Sequence, residues 1–431
     1  MARFGFVADD LTGAGDVLAQ AHQHGLDAVL AIGDVSLPTD VDVVGIAGPA
    51  RSLGGREFDE LVTRDLRRIA AVDLDVLLYK VCSTFDSSPT IGSIGRGIEL
   101  LHQQFPAHGP IPVAPAQPGF GRYTAFSQHF AVSGEEIYRL DRHPVMSTHP
   151  STPMSESDLR LVLAGQLRSS AQPGFLHLPK YTSGEFETAW KGLRADPSAA
   201  AFVVDAVDDT HLDAVASALR GARVGDGPSL VVGSGGMMAA LARSMNQPAP
   251  TRDESSASGP VLVVSASASS VTARQLADAR GAGWVDVPVP AAMLHTTSET
   301  DRKDVETAVA QALTAGKNVL VHTTLGADDP RYSQTHPVSA QHVGTLIGTL
   351  AAHMAQRGLT RDIAVFGGDT SSHALIAMGV SYLRVSQQFV TAGPICRSDD
   401  AAAVAGCRLL LKGGQVGPVD ILRRFAAPEP A

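Results

Sequence analysis

Three cysteines in 431 residues, Cys82, Cys396 and Cys407, share no short spacing, so neither a disulfide framework nor a paired zinc site is encoded. A reduced, cytoplasmic setting is the expectation. No apolar run approaches the roughly 20 residues of a membrane span. Asp9, Asp10 and Asp16 interrupt the stretch where a signal peptide would carry its apolar core, and no membrane partner is expected. Positive charge is also short: 34 Lys and Arg stand against 44 Asp and Glu, a net charge of -10 with no basic run interleaved with aromatics. That balance argues against a nucleic-acid partner. An anionic small molecule stays compatible, because a few local Arg and Lys side chains suffice to bind one. Two phosphate-binding signatures are missing as well. Lys80, Lys180, Lys191, Lys303, Lys317 and Lys412 all lack the neighbours of a P-loop, and Gly233-Ser234-Gly235 runs into Gly236-Met237-Met238 without completing Gly-x-Gly-x-x-Gly. A P-loop is excluded and a dinucleotide dehydrogenase is disfavoured.

What the chain does have is one repeated pattern, an apolar strand, a turn of small and hydroxylated residues, then a helix. It recurs from Phe4-Gly5-Phe6-Val7 to Asp362-Ile363-Ala364-Val365-Phe366. The fold class expected is α/β, two domains, each a mostly parallel sheet flanked by helices, with a cleft between them. The length and the Pro- and Ser-rich stretch 246–259 divide the chain into a domain at 1–245, a linker, and a domain at 260–431. From Arg122 to about residue 155 the pattern reads as an irregular flap, and a last helix is expected near 399–404. His143, His149 and Asp141 in the flap lack metal-ligand spacing. Self-association into a homodimer is left open.

The chemistry gathers at strand ends. Ala8-Asp9-Asp10-Leu11-Thr12-Gly13 closes the first strand and opens a helix, and two adjacent carboxylates exceed what a helix cap needs. Such a pair binds hydroxyls, holds a divalent cation or takes a proton from an alcohol. Arg51 follows the third strand as a carboxylate clamp. Lys80 ends the fourth, where a buried amine calls for an anion, and Ser83 opens a serine-rich, polyol-binding wall. Arg122 lies in a Pro/Gly loop. In the second half, Ser265, Ser267 and Ser269, the run Gly367-Gly368-Asp369-Thr370, and Lys412-Gly413-Gly414 form turns that aim backbone amides at phosphate.

On these residues the chain resembles the four-carbon acid sugar kinase family, over nearly its whole length. Ala8-Asp9-Asp10-Leu11-Thr12-Gly13-Ala14 is the family's most recognisable motif, and the Ser265–Ser269, Gly367–Ser371 and Lys412–Gly414 segments resemble its nucleotide-binding parts. The resemblance implies ATP and Mg²⁺ as cofactors and a small-molecule acid sugar as substrate. Asp9 and Asp10 are then catalytic, without an assignment of which is the base. Thr12, Arg51, Lys80, Ser83 and Arg122 bind the sugar acid. Ser265, Ser267, Ser269, Gly367, Gly368, Asp369, Thr370 and Gly414 bind the nucleotide, with Asp369 toward the metal. One departure bears on the substrate. Where the family often carries Lys-x-Asp-Ser-Thr-Leu-Arg-Gly, this chain reads Lys80-Val81-Cys82-Ser83-Thr84-Phe85-Asp86-Ser87. That change points to an acid sugar other than plain threonate, an oxidised or branched one such as 3-oxo-isoapionate. The competing readings are an NAD-dependent dehydrogenase on the same acids and a non-catalytic sensor of sugar acid and nucleotide.

Overall fold

The computed structural model describes residues 3–148, 152–168, 172–223, 225, 227–248, 256–296, 299–326, 329, 331 and 338–427, apart from the Asp369 side chain. His149, much of the linker expected at 246–259 and the Asp369 carboxylate thus lie outside the described residues. The chain forms two compact units, one of Met1–Val29 with Ser36–Pro250, the other of Leu30–Val35 with Thr251–Ala431.

In the first unit seven strands run parallel in the order Val43–Ala47, Phe4–Ala8, Val76–Lys80, Ser229–Gly233, Ile111–Ala114, Ala201–Val204 and Gly174–Leu176. Apart from Lys80 and Ser229 at strand ends and the edge strand Gly174–Leu176, these strands are apolar and largely buried, because a parallel sheet covered on both faces buries its side chains. Val76, Leu77 and Leu78 are fully buried and Tyr79 nearly so. The register sets the ends of the central strands level: Ala8 pairs with Ala47 and Lys80, and Lys80 in turn with Gly233. Residues carried just past those ends are therefore gathered at one edge.

The stretch expected to be an irregular flap is in part a three-stranded antiparallel sheet, Arg122–Ala125, Gln128–Ser133 and Glu136–Arg139. The first turn of this sheet puts Phe126 and Ser127 at φ 51° and 63°, a conformation that normally calls for Asn-Gly. Asp205 supplies the stabilisation that the local sequence lacks. Its carboxylate accepts from the Phe126 N–H at 2.6 Å and the Ser127 N–H at 2.9 Å, a contact 78 residues away along the chain.

The second unit has a parallel set in the order Val285–Pro288, Val319–His322, Val261–Ser265, Asp362–Phe366 and Arg408–Lys412. Antiparallel strands Gly393–Ser398 and Tyr382–Val390 extend it, and Leu30 and Ala31 pair with Leu383 and Tyr382. Ser265 stands level with both Phe366 and His322, and Phe366 with Lys412. The helix expected near 399–404 is instead a series of turns. Ala402, Ala405 and Cys407 each donate to the carbonyl three residues back, at Asp399, Ala402 and Val404, so no helical ladder forms. The last helix is Ile421–Phe425.

Candidate active site

The first site is built on the helix Leu11–Gln23. Asp10 is its N-cap, accepting from the Gly13 N–H at 2.6 Å, a bond of the kind that contributes about 1 kcal/mol to a helix. The other oxygen of Asp10 takes the Arg51 Nη1 at 3.2 Å. Arg51 in turn points its Nε and Nη2 at Asp86 Oδ2, at 3.2 and 2.6 Å. Asp86 is buried, and Thr84 donates to its other oxygen at 2.5 Å. Between Thr84 and Asp86 sits Phe85, fully buried at φ 55°. A left-handed Phe is strained, and the strain turns both neighbours onto the Arg51 cluster.

Asp9 differs from Asp10. It too is buried, but its Oδ1 meets no hydrogen-bond partner among the described residues. Burial, only partly offset by Lys80, raises its pKa to about 6, and the charge of Asp10 adds to the rise. Lys80 is buried beside it. Burial works against the Lys80 ammonium, yet Asp9 and Asp10, then Cys82 and Asp16, overcome it and hold its pKa above the ordinary value. The amine rests over the helix start: a Cβ added to Gly13 would lie 2.3 Å from Lys80 Nζ and 2.6 Å from Asp10 Oδ1. Only glycine admits this approach. Asp16, one turn on, is raised by burial and held by Gln117 Nε2 at 3.0 Å.

Thr12 lies half-buried in the first helical turn. Ser83 is buried, and its carbonyl faces the His129 Nε2 at 2.8 Å, which ties the antiparallel sheet to the serine-rich loop. His129 is also bonded to Thr124, and burial lowers its pKa to about 4, so it is neutral at pH 7. Arg122 turns Nη1 back onto the Phe120 and Gly121 carbonyls at 2.9 and 3.2 Å. Asp86, Gln117 and His129 were not singled out from sequence. Only Asp86 left a signal, as a charge within the serine-rich stretch.

The second unit presents a cradle. Ser265, Ser267 and Ser269 form a ladder of local turns in which each hydroxyl accepts from the N–H two residues on, ending as the N-cap of the helix Ser270–Gly281. Gly414 closes on it: a Cβ there would lie 2.9 Å from Ser269 Cβ and 3.0 Å from Ser267 Oγ. Gly367 has φ +143°, Ser371 donates to its carbonyl, and the helix Asp369–Ala377 starts after Gly368 with no side chain capping it. Its free N–H groups suit a phosphate. Gly368 is exposed and Thr370 half-buried. Lys412 is buried at the end of its strand, its Nζ donating to Thr272 Oγ1 at 3.1 Å and to the Gly413 carbonyl at 2.9 Å. No carboxylate among the described residues pairs with it, and burial pulls its pKa down to about 7.

The fold and the family models define the class: an α/β protein with a sugar-binding domain followed by a nucleotide-binding domain. Residues 4–241 match the family model of a sugar-binding N-terminal domain, and residues 262–422 that of a nucleotide-binding C-terminal domain. The chain belongs to the four-carbon acid sugar kinase family. It is 33% identical to the 3-oxo-isoapionate kinase of Paraburkholderia graminis, over 96% of this chain and 91% of that one. Identity to the 3-oxo-tetronate kinase of Cupriavidus necator is 30%, covering 96% and 94%. To the D-threonate kinase of Bordetella bronchiseptica it is 28%, covering 98% and 96%. Solved structures share the fold: a Salmonella typhimurium protein at TM-score 0.79 and 23% identity, and a Haemophilus influenzae protein at 0.71 and 22%, each with 98% of both chains covered.

Proposed function

We propose that this protein is an ATP-dependent kinase that phosphorylates a hydroxyl of a small acid sugar, an oxidised or branched one such as 3-oxo-isoapionate. The observation that carries the reading is the division of labour between the two carboxylates. Asp10 is committed to the helix cap and to Arg51, whereas Asp9 keeps an unpartnered buried oxygen and a pKa of about 6. A carboxylate so placed accepts a proton from an alcohol near neutral pH, and we assign Asp9 as the base and Asp10 as its neighbour that orients the hydroxyl. Lys80 stabilises the ionised form of Asp9. Thr12, Ser83 and Arg122 complete the sugar-acid wall in the N-terminal unit, with Arg51 behind it on Asp10.

The nucleotide belongs to the C-terminal unit. Gly414 leaves room against Ser267 and Ser269 that a side chain would fill, and the uncapped helix start after Gly368 offers amides to phosphate. Ser265, Gly367 and Thr370 complete that cradle. ATP would supply the phosphoryl group, and a bound Mg²⁺ would supply neutralisation of its charge. Mg²⁺ would enter with the nucleotide, and Asp369 would meet it through water.

The test is ADP release with Mg-ATP across a panel of C4 and C5 sugar acids, including 3-oxo and branched forms, with Asp9→Asn as control. Turnover of one member, lost at least about 1,000-fold in the variant, is the expected result. NADH production on the same acids would instead make it a dehydrogenase, and binding of acid and nucleotide without turnover would make it a sensor.

A further inference from the structure

Two arginines stand at the sugar-acid site, and the structure gives them opposite situations. Arg51 is already paired with two carboxylates. Its Nε and Nη2 edge, the side-on fork that grips a carboxylate, is taken by Asp86, and Nη1 donates to Asp10. For a substrate carboxylate to use that fork, Asp86 would have to be displaced. Its side chain is fully buried, and a buried carboxylate stripped of its partner is strongly destabilising.

Arg122 is the reverse. Among the described residues no carboxylate pairs with it, its Nε is buried without a hydrogen-bond partner, and burial depresses its pKa. Its guanidinium is nonetheless fixed in place. Nη1 is held by two backbone carbonyls and the group lies 5.0 Å from the Phe120 ring. The backbone of Arg122 exchanges hydrogen bonds with Gln117, whose side chain holds Asp16, and Cys82 and Asp86 lie within electrostatic range of its charge. A half-buried, rigid cation with no carboxylate partner among the described residues, at the rim of a hydroxyl-binding site, is a preformed receptor for an anion.

We propose that Arg122 binds the carboxylate of the acid sugar, and that Arg51 is a positioning residue that holds Asp10 in place. The assignment rests on the kinase reading above and specifies which end of the substrate meets which part of the site. It also explains why the antiparallel sheet is fastened to the serine-rich loop through His129 and Ser83: the anchor for one end of the substrate is thereby held in register with the hydroxyl-binding end.

The experiment compares wild type, Arg122→Gln, Arg122→Lys and Arg51→Gln on the sugar acid that wild type turns over and on its neutral carboxamide. Arg122→Gln is expected to raise KM for the acid about 10- to 100-fold, to change KM for the amide little, and so to erase the preference between them. Arg122→Lys, which keeps the charge and loses the fork, falls between, and guanidinium ion added to Arg122→Gln restores part of the affinity. Arg51→Gln is expected to lower kcat and shift the acid limb of the pH profile while keeping the preference for acid over amide. An unchanged acid preference in Arg122→Gln, or its loss in Arg51→Gln, overturns the assignment while leaving the kinase reading intact. Wild type inactive on every acid of the panel overturns both.

Discussion

Replacing Asp9 with Asn removes a cost that the native protein carries at neutral pH. The Asp9 carboxyl has its pKa raised from 3.8 to about 6, with burial as the largest cause. Holding the ionised form in that environment costs about 3 kcal/mol, at about 1.4 kcal/mol per pH unit. The sign follows from proton counting. Between pH 4 and 6 the native state keeps the Asp9 proton while the unfolded chain releases it, so stability falls as pH rises through this window and the whole cost stands above pH 6. Asn is uncharged at every pH and nearly the same shape. Asp9→Asn is therefore expected to match wild type below pH 4 and to exceed it by about 3 kcal/mol at pH 7, a rise of about 6–12 °C in the melting of the N-terminal unit. Asp16 is also raised by burial, but it is present in both proteins and cancels in the difference. Urea titrations from pH 4 to 7.5, followed by hydrogen exchange at the amides of Phe4–Ala8, read the N-terminal unit directly. A difference between the two proteins that does not change with pH, or that has the opposite sign, refutes the reasoning. The same group sets the rate: kcat/KM of wild type is expected to fall about tenfold per pH unit below about pH 6.

Gly13→Ala places a methyl group 2.3 Å from Lys80 Nζ and 2.6 Å from Asp10 Oδ1. We expect a loss of turnover of about 100-fold or more with far-UV circular dichroism unchanged, since Ala suits the helix and only the amine and the cap have to move. Lys412, at a pKa of about 7, is largely neutral at pH 8, and a phosphate placed beside it favours the charged form. ATP binding at pH 8 is then accompanied by proton uptake, seen as a dependence of the calorimetric heat on the ionisation enthalpy of the buffer. Lys412→Met is expected to abolish that uptake and to weaken ATP binding about tenfold; equal uptake in the variant would show that Lys412 does not face the phosphates.

Much of the scaffold was legible because it is written in local chemistry. Apolar runs such as Val76-Leu77-Leu78-Tyr79 announce buried parallel strands, and Asp10 and Ser269 mark helix starts where each is the observed N-cap. The same locality placed Asp9, Lys80, Ser267 and Gly414 at strand ends and turns. Three features were not readable in this way. The antiparallel sheet at 122–139 has no Asn-Gly turn, because Asp205 holds the Phe126-Ser127 backbone from a distant strand. The strands at 382–398 have no clean alternation, since most of Tyr382–Val390 is only partly buried. The turns at 399–407 share the small-residue composition of a helix.

The sequence by itself determined the α/β pattern, the family and the residue types at each strand end, all of which depend on neighbours a few positions apart. Only the tertiary structure decided what those residues do to one another. It separated Asp9 from Asp10 by giving one a helix cap and an ion pair and leaving the other an unpartnered buried oxygen. By pairing Arg51 with Asp86, 35 residues on, it left Arg122 as the cation with no carboxylate partner among the described residues. Burial and ion pairing are set by residues far apart in the chain, and the side chains they act on carry no local mark of it.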